Sequence, residues 1–338
     1  MDCSSVIARP VSLPGTGLAE PLARLPLATL YLTERCNSRC VSCDYWRHGR
    51  RDIGLDTVQR LLPGLVEMGT QTVLVSGGEP LLHPHWADIA AQLRAHGLKL
   101  WLLTAGLALA KHAEEVARLF EQVTVSLDGS TATSYAAIRG LDAFEVVCAG
   151  IRAAVREGLS VGLRVTVQRG NVGELGDLVK LAHKLGVQSI SFLAADVSHA
   201  EAFGRHGEAV DGVALQVDDL PVLARAIAAL EEEHAADFAS GFIAETPEKL
   251  WRIHAHYRST LGLGEPPAVR CNAPEFSAVI EADGGVRPCF FIAGAGGLGE
   301  AGLSAALNSP AQRRLRADIR AGRRPECRRC VCSKWFSS

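Results

Sequence analysis

Leu32-Thr33-Glu34-Arg35-Cys36-Asn37-Ser38-Arg39-Cys40-Val41-Ser42-Cys43 is the stretch on which the reading of this chain turns. It follows an apolar, strand-like segment, Leu25 to Leu32, and sets three cysteines at the spacing Cys-x3-Cys-x2-Cys on the loop behind it. Three thiolates so close together can wrap one corner of an iron–sulfur cubane and leave a fourth iron open to a small molecule. Closed clusters take four cysteines, and structural zinc sites close with four Cys or His ligands. The loop points to a metal centre with one open position.

The next informative segment is Val73-Leu74-Val75-Ser76-Gly77-Gly78-Glu79-Pro80, a strand that ends in two glycines, an acid and a proline. Glycine lets another group approach the backbone closely, and proline stiffens the turn. Alone this would be an ordinary strand-to-helix turn. Together with the cysteine loop, it makes the chain resemble the radical S-adenosylmethionine (SAM) superfamily. The resemblance implies that Cys36, Cys40 and Cys43 hold a 4Fe–4S cluster whose open iron binds SAM. It also implies that Gly77, Gly78, Glu79 and Pro80 line the pocket and hold the methionine amino group.

By the same resemblance, Ser126 and Asp128 in Val125-Ser126-Leu127-Asp128-Gly129, with Arg139 downstream, border SAM or substrate. Read from the residues alone, this is a strand end with a turn acid. Arg164 on the following strand would meet the SAM carboxylate or an internal acid. One departure is Ser42, where the family often has an aromatic residue near adenine; Tyr45 and Trp46 are the nearby substitutes.

Around these motifs, short β-rich runs alternate with amphipathic helical stretches. Strands are expected at Ala28–Leu32, Thr72–Ser76, Lys99–Thr104, Gln122–Leu127, Ser160–Val167 and Ser189–Leu193. Helices are expected at Asp56–Met68, Pro84–Ala95, Leu109–Leu119, Phe144–Glu157 and Val172–Leu185. Such alternation implies parallel βαβ units and an α/β class. The resemblance implies a partial (β/α)6 barrel with ligands at the C-terminal strand ends.

Four regions follow from this pattern: a tail at 1–24, the barrel at 25–198, a connecting helical region at 199–264 and a small α+β module at 265–338. In the connecting region Leu220–His234 and Pro247–Leu261 read as helices, and substrate contacts are expected there. In the last module, strands Ser277–Glu281 and Val286–Ile292 flank the hairpin signal Asp283-Gly284-Gly285, and a helix follows at Pro310–Ala321.

That module holds Cys271, Cys289, Cys327, Cys330 and Cys332. It resembles the twitch domain, the short form of the SPASM domain, which carries one auxiliary 4Fe–4S cluster. Five thiols compete for four places. Cys271, Cys289, Cys327 and Cys330 are favoured because a Cys-x2-Cys pair chelates one centre readily, and Cys332 is the spare, although it could replace Cys327 or Cys330. With the chain stopping soon after Cys332, one auxiliary cluster is the expected ceiling. A zinc ribbon on four thiolates is the alternative that spacing leaves open.

Composition narrows the class. The chain has 338 residues, 48% of them apolar, enough for a large core, and a net charge of −2 without a basic stripe. Nucleic acid is therefore not an expected partner. No signal peptide and no membrane span are evident, and ten cysteines point to metal or redox chemistry in a reducing cytoplasm.

Other candidates read as structural. Gly294-Ala295-Gly296-Gly297-Leu298-Gly299 matches a dinucleotide fingerprint by letter but follows a hairpin, so it reads as a loop. His83-Pro84-His85 reads as a solvated helix entry. Cys148 reads as a buried apolar thiol, with hydrogen-atom donation to a substrate radical as the alternative, and Cys3 receives no role.

The expectation is a radical SAM oxidoreductase- or transferase-type enzyme with two 4Fe–4S clusters. A reductant such as flavodoxin or ferredoxin would supply the electron. The roughly 25 residues before the first strand are too few for the leader-binding domain that a peptide-modifying enzyme is expected to carry. The expected substrate is therefore a small biosynthetic molecule: a sugar, an aminocyclitol or a nucleoside. A peptide-modifying enzyme forming a crosslink or an epimer is the alternative; a non-catalytic iron–sulfur or zinc protein comes last.

Overall fold

Alternation of apolar and polar residues turns six segments into six parallel strands. The structure, a computed structural model, describes residues 17–199, 202–205, 212–332 and 334–336. Cys3 and much of the expected tail lie outside the described residues. The strands are β1 (Leu27–Thr33), β2 (Thr72–Gly77), β3 (Lys99–Thr104), β4 (Gln122–Ser126), β5 (Ser160–Val167) and β6 (Ser189–Ala194). They pair in chain order, all parallel.

One side chain of each alternating pair faces the helices. Leu30, Val75, Leu102, Val125, Leu163 and Phe192 are at most 2% exposed there. Their neighbours Leu74, Trp101, Thr124, Arg164 and Ser191 keep solvent access on the opposite, concave face. β6 does not pair with β1, so the barrel stays open.

The five expected barrel helices form at Leu55–Glu67, Trp86–Ala95, Leu109–Leu119, Phe144–Arg156 and Leu175–Leu185. A sixth, Ala132–Arg139, was not expected. Thr131 and Ser134 build a capping box at its start, and Gly140 closes it in the left-handed conformation (φ 70°). The connecting helices form at Leu220–Glu233 and Pro247–Thr260, with a short unexpected one at Ala235–Ser240.

The C-terminal module differs most from expectation. β7 (Ser277–Ile280) pairs in parallel with β1, so that Leu27 faces Ser277, and β8 (Val286–Arg287) pairs antiparallel with β7. The sheet therefore has eight strands in the order β6-β5-β4-β3-β2-β1-β7-β8. The expected strand Val286–Ile292 stops at Arg287 because that guanidinium folds back onto the chain. It donates to the carbonyls of Ile292 (3.1 Å) and Phe290 (3.3 Å), which curls the segment into a loop.

The described end of the expected tail is also tied down. Ala19 N–H donates to the Arg313 carbonyl (3.0 Å), and the Asn308 side chain brackets Leu22 with bonds of 2.6 and 3.0 Å.

Candidate metal centres and the barrel mouth

Four separate segments stitch the three-cysteine loop into place. Arg39 and Val41 N–H donate to the carbonyls of Arg139 and Ile138, both at 3.0 Å, at the end of the unexpected helix. Asp44 N–H donates to the Phe203 carbonyl (2.9 Å), and the Cys43 thiol lies 3.4 Å from the same oxygen. Glu79 N–H donates to the Arg35 carbonyl (2.8 Å) and Gly78 N–H to that of Thr33 (2.7 Å). Arg35 closes the base of the loop with a bidentate pair to Asp52 at 2.9 and 2.7 Å.

The Gly-Gly-Glu-Pro turn is built for this close approach. Gly77 has φ 121°, and a Cβ there would strike the Thr33 carbonyl; one on Gly78 would strike the carbonyls of Arg35 and Glu34. Glu79 is fully buried, and its carboxylate is used internally. Oε1 accepts from Thr104 Oγ1 (2.8 Å) and Leu81 N–H (3.2 Å), and Oε2 from Ala105 N–H (2.7 Å). Burial pushes this carboxyl above its usual range, against those hydrogen bonds. Glu79 thus fastens the end of β2 to the end of β3, and Pro80 opens the short 3-10 turn Pro80–Leu82 beside it.

Asp128 and Arg139 form a buried pair at 3.0 Å, and Asp128 Oδ1 also accepts from Thr166 N–H (2.7 Å). Among the described residues Arg139 Nε is buried without a hydrogen-bond partner, and Cys40 feels its charge. Ser126 is half-buried at the end of β4, in register with Arg164 on β5.

The thiols themselves are poor acids here. Burial, with the charge of Glu79 and then of the Cys40 thiol adding to it, pushes Cys36 to about 11, and burial with the Cys40 and Cys36 thiols pushes Cys43 to about 12. Thiolates in such a place call for a cationic centre to bind. Among the described residues no three His, Cys, Asp or Glu side chains converge as a single ion requires. A cubane spreads its thiolates over separate irons, so this donor set, with an unpartnered guanidinium nitrogen beside it, fits an anionic cluster.

The second set of thiols comes from three stretches of chain. Asn272 clasps the chain end: its N–H donates to the Lys334 carbonyl and its side chain to that of Phe336, and Phe336 N–H donates back to Asn272 Oδ1. This brings the Cys332 end beside Cys271. Burial raises Cys327 to about 11, and Cys330 and Cys332 also lie above the ordinary thiol range. Cys271 and Cys289 contribute to all three rises, so the five thiols share one neighbourhood. Lys334 and, less strongly, Arg164 on the concave face pull Cys332 back down, so Arg164 lies within electrostatic reach of this group. A cavity of about 170 Å³ is lined by Tyr31 of β1, Tyr45 just after the three-cysteine loop, and Glu281 and Arg287 of the C-terminal module, among others.

Several smaller expectations are settled. Trp46 folds back onto the Cys40 carbonyl (3.3 Å), while Tyr45 packs edge-on against Tyr31. His83 is not a solvated helix entry: it is 2% exposed, with Nε2 3.0 Å from the Ile53 carbonyl and Nδ1 accepting from His85 N–H. Cys148 is buried in the helix-side core on Phe144–Arg156. Residues Gly294–Gly299 form a loop, as expected. Sequence reasoning missed Phe203 and Arg205, which hold the cysteine loop from the connecting region; no motif marks them.

Comparison with known proteins agrees with this geometry. Residues 30–182 match the family model of the Radical SAM superfamily, and residues 271–331 match SPASM, an iron–sulfur cluster-binding domain. The second match takes in four of the five C-terminal cysteines and ends before Cys332. A probable GTP 3′,8-cyclase of Thermococcus kodakarensis is 32% identical over 46% of this chain and 52% of its own length. The chain thus spans about half the length of the first curated relatives it matches. A GTP 3′,8-cyclase of Mycobacterium sp. strain KMS is 29% identical over 84% of this chain and 82% of that protein. The solved structure of anSMEcpe with bound AdoMet and a peptide superposes with a TM-score of 0.65 at 19% identity, covering 92% of each chain, a likeness of fold. Among the described residues no helix is long and apolar enough to cross a membrane. The chain thus joins a domain of the radical SAM superfamily, over residues 30–182, to a C-terminal SPASM-type iron–sulfur cluster-binding domain, over residues 271–331.

Proposed function

We propose that this radical SAM enzyme cleaves S-adenosylmethionine reductively and removes a hydrogen atom from a small biosynthetic molecule. When bound, the open cluster and SAM supply a 5′-deoxyadenosyl radical. The observation that carries the reading is the three-thiol loop, pinned from four sides at the C-terminal strand ends above a half-exposed concave face. Cys36, Cys40 and Cys43 hold the cluster, and Arg139 sets a buried positive charge against it. Glu79 keeps the turn rigid, and Ser126 and Arg164 offer polar groups to SAM or substrate.

Cys271, Cys289, Cys327 and Cys330 hold an auxiliary cluster that moves an electron during turnover, and a flavodoxin- or ferredoxin-type protein supplies the first electron. A nucleotide-like or sugar-like substrate is favoured because a relative aligned over most of both chains is named for a reaction of GTP. The peptide in the anSMEcpe structure accompanies a likeness of fold alone.

The test is an anaerobic assay with SAM, a strong reductant and deuterated candidates: nucleosides, sugars, aminocyclitols and peptides. Deuterium should enter 5′-deoxyadenosine from one of the first three. Transfer from peptides alone would replace the small-molecule reading. S-adenosylhomocysteine without deoxyadenosine would refute the radical one.

A further inference from the structure

Three buried charged side chains lie between the two sets of thiols, and neither set uses them as ligands. Asp196 follows β6, with His199 and Arg205 further along the connecting region; all three are at most 4% exposed. Arg205 donates to the Ser42 carbonyl at 3.1 Å and to the Asp196 carbonyl, and approaches the Asp196 carboxylate at 3.5 Å. Asp196 Oδ1 lies 2.8 Å from His199 Nδ1, and His199 Nε2 lies 3.1 Å from the Glu326 carbonyl. Ser42 precedes Cys43, and Glu326 precedes Cys327. Hydrogen bonds thus run without a break from one cysteine loop to the other.

The chemistry of the partners sets the charge of the middle ring. A peptide carbonyl can only accept, and so can a carboxylate beside a guanidinium. Both nitrogens of His199 therefore donate, and the ring is an imidazolium. Burial opposes that charge and the Asp196 carboxylate outweighs it, leaving His199 above its ordinary range. Arg205 and Asp196 offset each other, so the group keeps the charge of His199. Phe291, two residues after Cys289, packs on the same ring with centroids 4.9 Å apart.

We propose that Arg205, Asp196 and His199 form a strut that fixes the two cysteine loops relative to each other. In it, His199 is a positioning residue that seats Cys327 and holds a buried positive charge against the auxiliary cluster. This rests on the reading that the C-terminal thiols hold such a cluster. Cluster potentials depend on nearby charge and on hydrogen bonding around the sulfurs. A fixed cation favours the reduced, more negative state, and burial strengthens the effect.

Two substitutions divide the ring's contacts. His199→Gln places an amide where Nε2 was and keeps a donor for the Glu326 carbonyl. His199→Asn places one where Nδ1 was and keeps only the contact to Asp196. Both remove the charge. In the reconstituted full chain, redox titration followed by electron paramagnetic resonance separates the clusters, because added SAM perturbs only the open one.

Both variants should shift the auxiliary midpoint to more negative potential and leave the other in place. His199→Asn should also lose auxiliary iron, which His199→Gln retains. An unchanged auxiliary potential with full iron, in whichever variant folds, overturns the proposal. Amide hydrogen exchange of the unsubstituted holoprotein gives a check free of mutation: residues 326–332 should be protected to the same degree as 40–44. Fast exchange at 326–332 alone overturns the strut. Wild-type protein with iron for a single cluster overturns the auxiliary-cluster reading, and the strut's electronic role with it.

Discussion

The two cysteine groups are held in opposite ways. Cys36, Cys40 and Cys43 sit within one short loop, and backbone hydrogen bonds with residues 78–79, 138–139 and 203 fix its shape. The C-terminal thiols come from positions 271, 289 and 327–332, gathered by the Asn272 clasp and a single small hairpin, with Cys271 exposed. A preformed loop can present an open coordination position without collapsing onto it. A set assembled from distant stretches draws its order from the bound metal, because binding energy there is folding energy. The first group thus suits a cluster with an open coordination position, and the second a closed centre.

The largest expected effect breaks the first group. Replacing Cys36, Cys40 and Cys43 together by alanine should lower iron from about eight to about four per chain and abolish 5′-deoxyadenosine formation. Iron analysis with chromatography of the products checks this. Iron falling to near zero would mean that the second group depends on the first.

Cys327→Ala should separate the two functions. SAM cleavage should persist while product falls to a trace, provided circular dichroism shows an intact fold. Chelation of iron should likewise loosen residues 271–332 before the barrel strands, as read by hydrogen exchange. Normal product from a folded variant lacking the auxiliary cluster would make that cluster structural and favour a redox-neutral reaction.

Glu79→Ala probes the rigidity of the first loop. It strands Thr104 Oγ1 and the N–H groups of Leu81 and Ala105, and buried unsatisfied donors cost about 1–3 kcal/mol each. A loss of at least about 3 kcal/mol in urea unfolding is expected, together with weaker SAM binding. Unchanged stability would show that the turn does not depend on this carboxylate.

The smallest effect concerns Cys148. Cys148→Ala should cost about 1 kcal/mol by leaving a small void, with product formation unchanged. Lost product from a stable variant would revive the hydrogen-donor role that its helix-side burial speaks against.

Legibility followed the range of the interactions. Strands β1 to β6 and their helices were readable because their patterns repeat locally, with periods of two and 3.6 residues. The helix Ala132–Arg139 was missed because its start depends on hydroxyl capping at Thr131 and Ser134, with little apolar periodicity. The pairing of β7 with β1 joins segments far apart in the chain, and four residues carry no signal of their partner. The cysteine motifs were legible from spacing. The inward turn of Glu79 and the support from Phe203 and Arg205 were not, since each depends on tertiary contacts.

The parallel pairing of β7 with β1 has a consequence for any attempt to take the protein apart. Shortening the chain after Thr260 would strip one flank of β1 and leave a row of peptide groups without partners beside the cluster loop. Such a flank invites pairing with other chains. A truncated barrel should therefore collect in aggregates, and fusing a foreign strand along that flank should do more for its solubility than any change to its surface charge.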